Sequence, residues 1–158
     1  TLAVWGFIFV APTSARIGTL SGATLVLITI VFTALYVSHS TDAAMLSLVG
    51  LVLWIVAGVV NIASMLDFTN NTLYAFATIT FGLPLVVFGF LAYRSTRVPR
   101  GLALVTLLGG VVWVFAGAVS FNGQTTLAMV AGLVATLFMV VWLFWLWRFF
   151  SSGKLAAA

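Results

Sequence analysis

The sequence predicts an all-α, polytopic transmembrane helix bundle, and three observations predict it. Apolar residues fill 64% of the 158 positions and charged residues 5%, with a mean hydropathy of +1.31. A soluble domain carries about 25% charged residues, so a surface of this composition faces lipid rather than water. Second, short polar breaks cut the chain into apolar tracts of roughly twenty residues, the helix length that crosses a ~30 Å hydrocarbon core at about 1.5 Å per residue. Third, three of the five arginines crowd into one such break, Tyr93-Arg94-Ser95-Thr96-Arg97-Val98-Pro99-Arg100. Two uncharged tracts joined by a basic turn make a membrane hairpin.

Residues 2–12 are apolar but reach across only half of a bilayer. They read as the second half of a spanning helix ended by Ala11-Pro12, and a start at Thr1 inside an apolar run gives the expectation of an upstream piece. Residues 1–10 as the core of a signal peptide are the alternative, although no basic segment precedes them. Thr13-Ser14-Ala15-Arg16 forms a loop whose hydroxyls suit a helix cap. Residues 17–38 are the first complete span, broken by Ser38-His39-Ser40-Thr41-Asp42. Residues 43–66 are the second, closed by Asp67-Phe68-Thr69-Asn70-Asn71, and 72–93 the third, with Pro84 near its centre. Residues 101–121 follow the basic hinge and turn at Asn122-Gly123-Gln124 into 125–150, which ends in Trp142, Trp145, Trp147 and Arg148. The expectation is five full spans plus one partial N-terminal span, six in the complete protein, forming a single domain over residues 1–153. Lys154-Leu155-Ala156-Ala157-Ala158 reads as a vector-encoded tail outside the fold.

Cytoplasmic ends of membrane helices carry an excess of Lys and Arg. Placing the hinge inside puts Arg94, Arg97, Arg100 and Arg148 in the cytoplasm and leaves Arg16 outside. Tyr36, Tyr93 and the Trp142–Trp147 cluster fall at the same face, as interfacial anchors should. The C-terminus is then cytoplasmic.

Helices in lipid associate through close packing of small residues and through hydrogen bonds. Each span supplies such a stripe at helical spacing: Gly18, Gly22, Thr29 and Thr33; Ser47, Gly50, Trp54, Gly58 and Asn61; Thr78, Gly82, Leu85 and Gly89; Thr106, Gly110, Trp113, Gly117 and Ser120; Met129, Gly132, Thr136 and Met139. Helix packing accounts for these stripes. The sharper reading is a ligand cavity lined by Trp54, Trp113, Asn61 and the threonines. Pro84 donates no hydrogen bond and frees the carbonyl of Thr80, so that carbonyl and the hydroxyls of Thr78 and Thr80 are further candidate ligand groups. Asn61 suits an interhelical hydrogen bond as well as it suits recognition.

The chain has no cysteine and no glutamate, which excludes disulfides and thiolate chemistry. One histidine cannot supply paired axial ligands for a haem, and His39 with Asp42 is too small a set for a metal, so that pair reads as a solvated turn. Six cations spread along the chain make no nucleic-acid footprint. An ionisable group inside a span is the usual mark of a pump or a membrane enzyme, and none is placed so. The expectation is no catalytic residue, no metal and no cofactor.

Several stretches resemble a family of small bacterial integral membrane proteins, domain of unknown function 4386. They are Arg16-Ile17-Gly18, Ala34-Leu35-Tyr36-Val37, Phe81-Gly82-Leu83-Pro84, Gly89-Phe90-Leu91-Ala92-Tyr93-Arg94-Ser95 and Val98-Pro99-Arg100-Gly101. The resemblance covers residues 10–121 and implies a six-span bundle with no established activity. The expected protein is therefore a non-enzymatic bundle of the bacterial inner membrane. Its expected partners are membrane lipids, a small apolar ligand, a second copy or another membrane protein. A small transporter or channel subunit, with a polar path beside Pro84 and Asn61, is the alternative.

Overall fold

The computed structural model describes residues 26, 28–37, 39–66, 70–95 and 98–151. The expected partial span at 2–12, the start of the first complete span with Arg16, Gly18 and Gly22, and Asp67, Arg97 and the tail lie outside the described residues.

Five helices are described: a short apolar α1 (Ile28–Val37), α2 (Ala44–Leu66), α3 (Asn71–Arg94), α4 (Arg100–Phe121) and α5 (Thr125–Ser151). Each of α2 to α5 is long and apolar enough to cross a membrane, so the chain is a multi-pass membrane protein. Their bounds fall within a residue or so of those expected, because the polar breaks contain real helix stops. Asn70 caps α3 by accepting a 3.0 Å hydrogen bond from the Leu73 N–H, which starts that helix at Asn71 rather than Thr72. Pro99 precedes α4, where its fixed φ of −57° suits a helix start. Gly123 makes the α4–α5 turn at φ +74°, a conformation that side chains disfavour.

Chain neighbours pack as antiparallel pairs, α2 on α3, α3 on α4 and α4 on α5. The central helix is α3. Of its most apolar window 56% is buried, against 39% for α4 and 22% each for α2 and α5. The α3–α4 contact is the closest because glycines meet backbone across it. A Cβ on Gly82 would stand 2.6 Å from the Gly110 carbonyl oxygen, and one on Gly110 would stand 2.7 Å from the Val86 nitrogen. Gly89 abuts Leu107, and Gly117 abuts Ala75 and Ile79, in the same way. The third and fourth small-residue stripes are thus one interface. The second packs at Gly50, where a Cβ would run into the Phe88 ring, but a Cβ at Gly58 or Gly132 would meet no described neighbour within 4 Å.

Helix α1 completes the core through Phe32, which is fully buried. Its ring stacks on Trp54 of α2 at 4.5 Å and meets Phe88 of α3 at 5.3 Å and Trp142 of α5 at 6.3 Å. The opposite surfaces stay apolar. Val52, Ile55, Val59 and Ile62 of α2 and Leu133, Leu137 and Phe144 of α5 all point outward. In water such faces would aggregate; in a bilayer they meet acyl chains.

Two sequence expectations change. Trp142 is 2% exposed and belongs to the core, whereas Trp147, 69% exposed, is the anchor its composition suggests. His39 is 2% exposed rather than a member of a solvated turn. Its carbonyl accepts from the N–H groups of Asp42 and Ala43, folding the α1–α2 connection inward.

Candidate functional site

The space between Trp54 and Trp113, expected to be a cavity, is taken by Phe81. Its ring packs edge-on against Trp54 at 5.7 Å and against Trp113 at 5.4 Å. The cause is topological: α3 lies between α2 and α4, so an inward residue at this level of α3 separates the two indoles. Phe81, Leu85 and Phe88 share one helix face at i, i+4 and i+7. That spacing was the signal available in sequence for the missed residue. Trp54 also donates its indole N–H to the Thr29 hydroxyl of the α1 segment at 3.0 Å, so its polar edge is satisfied within the protein.

The polar candidates turn to helix backbone. Asn61 donates to the Ala57 carbonyl at 2.8 Å on its own helix and to the Ala77 carbonyl of α3 at 3.5 Å. Thr78 donates to the Tyr74 carbonyl at 2.8 Å, and Thr80 reaches the carbonyls of Phe76 and Ala77 at 2.9 and 3.1 Å. Without water in the bilayer core, each hydroxyl does best by bonding a carbonyl one turn back. Pro84 is fully buried inside α3, which continues past it. Asn61 therefore joins α2 to α3, while the two threonines and Pro84 are arranged along α3 itself.

Trp113 differs. Its Nε1 atom is buried and has no hydrogen-bond partner among the described residues. Trp113 also lines a cavity of about 10 Å³, shared by α3, α4 and α5, together with Leu85, Thr106, Gly109, Met139 and Trp142. An unsatisfied buried donor costs about 1–3 kcal/mol. The cavity sits at the lower bound for one water, about 10–15 Å³. Thr106 donates its hydroxyl to the Leu102 carbonyl at 2.8 Å. Met139, with three rotatable bonds, is the most adaptable wall. Of the six residues singled out from sequence, the cavity takes Trp113; Trp54 and Asn61 join α2 to its neighbours α1 and α3, and Thr78, Thr80 and Pro84 lie along α3. Leu85, Thr106 and Met139 belong to the small-residue stripes, and Trp142 was concealed by its place in an aromatic run near a helix end.

A family model described as Domain of unknown function (DUF4386) matches residues 65–147, more than half of the chain. The match starts later than the resemblance read from sequence and runs further, through most of α5. It includes Thr78, Thr80, Pro84, Trp113 and the cavity, and leaves out Trp54 and Asn61. No curated protein and no solved structure matches the chain.

Proposed function

Because the chain belongs to the DUF4386 family of membrane domains, we propose that it is a non-enzymatic, six-spanning protein of the bacterial inner membrane that holds a small apolar or lipid-like molecule in its core. The basic hinge and the C-terminus face the cytoplasm in this reading, which the arginine distribution supports through the positive-inside rule. The observation that carries it is Trp113, which lines the α3–α4–α5 cavity and whose buried indole N–H has no partner among the described residues. At about 10 Å³ the space admits no more than one water, so a larger guest requires α3, α4 and α5 to move apart there. A supply of two carboxylates and one histidine in 158 residues, with no cysteine, supports a binding role over catalysis.

Native mass spectrometry of the detergent-extracted protein tests this directly and also reports subunit number. A retained small molecule is expected. Trp113→Phe, which keeps the ring and removes the donor, should weaken its retention about fivefold, the value of one hydrogen bond of ~1 kcal/mol. Retention unaffected by Trp113→Phe, or no retained molecule under any mild extraction, overturns the site.

A further inference from the structure

The charged side chains of the described structure gather at one end of the bundle. Antiparallel alternation brings together the start of α2, the end of α3, the start of α4 and the end of α5. Arg94, Arg100 and Arg148 stand there, all exposed, with Asp42 as the single described carboxylate. The other end of the four long helices presents Asn70, Asn71, Asn122 and Gln124, none of them charged.

Helix stability explains only part of this grouping. Arg94 and Arg148 lie in the last turns of α3 and α5, where a cation complements the helix dipole. Arg100 opens α4, where the same dipole disfavours a cation. The Arg94 guanidinium lies 5.7 Å from the centroid of the Phe90 ring, itself 42% exposed on the apolar surface. A guanidinium laid along a lipid-facing ring at a helix end holds its donors at headgroup depth. Exposed Tyr93 and Trp147 flank Arg94 and Arg148 in the chain, which places an aromatic belt at the same level.

From this placement we propose that Arg94, Arg100 and Arg148 form a binding site for the phosphate of anionic phospholipid headgroups. Guanidinium donors match phosphate oxygens in charge and in geometry. The site is separate from the Trp113 cavity and stands or falls without it.

The test compares dioleoyl phosphatidylglycerol with dioleoyl phosphatidylcholine, added to the delipidated protein and counted by native mass spectrometry. Phosphatidylglycerol should be retained at about tenfold lower added concentration than phosphatidylcholine, and its advantage should shrink as salt rises. The triple variant R94Q/R100Q/R148Q should lose that advantage and keep its phosphatidylcholine binding. Equal retention of the two lipids by the unaltered protein overturns the proposal, whether or not the variant folds. So does a folded triple variant that keeps the preference. Inorganic phosphate separates the two sources of the anion: saturable binding of millimolar phosphate that displaces the lipid would mark a soluble-anion site and sink the lipid assignment.

Discussion

Asn61 is the most informative polar side chain of the spans, because its amide reaches backbone on two helices. In lipid such an interhelical bond is worth about 1 kcal/mol. Asn61→Leu should therefore lower stability by about that amount in detergent unfolding. If it instead abolished a measurable solute flux in liposomes and left stability unchanged, the residue would belong to a transport path. Trp54 and Thr29 offer a second measurement at this scale. Their 3.0 Å hydrogen bond ties α1 to α2, and a double-mutant cycle of Trp54→Phe and Thr29→Val should show a coupling of about 0.6 kcal/mol. Strictly additive losses would mean that the bond contributes nothing. Thr78 and Thr80 have no such reach, since their hydroxyls close onto their own helix.

Among the elements, α3 and α4 act as one unit because their glycines let the backbones touch. Gly110→Ala places a methyl 2.7 Å from the Val86 nitrogen and 2.8 Å from the Gly82 carbonyl oxygen. Backbone cannot rotate away as a side chain can, so the helices must separate along the interface. The expected loss is about 2 kcal/mol or more, in the range of overpacked cores, and Gly82→Ala should behave alike. Gly58→Ala and Gly132→Ala meet no described neighbour within 4 Å. There the change should be neutral or should stabilise by up to about 1 kcal/mol, the difference in helix propensity. Thermal unfolding of the four variants decides the matter: a uniform response would mean that the α3–α4 contact is no closer than the rest.

Among the described residues the four long helices are polar in a directional sense, with Arg94, Arg100 and Arg148 at one end and the uncharged amides Asn70, Asn71, Asn122 and Gln124 at the other. Under the positive-inside rule that asymmetry supports the proposed orientation, with the arginines cytoplasmic. These 158 residues contain no cysteine, so Ser95→Cys and Asn122→Cys each introduce a single reporter into them, at opposite ends of α3–α4. A membrane-impermeant maleimide on intact cells should label the Asn122 variant and spare the Ser95 variant until the membrane is opened. The reverse pattern would invert the topology and place the arginines outside.

How much of this was legible beforehand differs between fold and site. The bounds of α2 to α5 could be read because a bilayer fixes helix length and because Asn70, Pro99 and Gly123 are local stops that act without tertiary help. The glycines of α3 and α4 could be read as packing residues for a similar reason: close backbone approach admits almost no other side chain. The aromatic core could not. In a membrane protein the lipid-facing and core-facing surfaces are equally apolar, so periodicity does not say which way a ring points. Phe81 between the two tryptophans, Trp142 in the core and His39 folded inward are decided by which helices end up side by side. The sequence by itself determined the solvent, the spans and the charge asymmetry, which depend on composition and order along the chain. Tertiary structure alone decided that the cavity opens on Trp113 rather than between Trp113 and Trp54, because a cavity is the space that packed neighbours fail to fill.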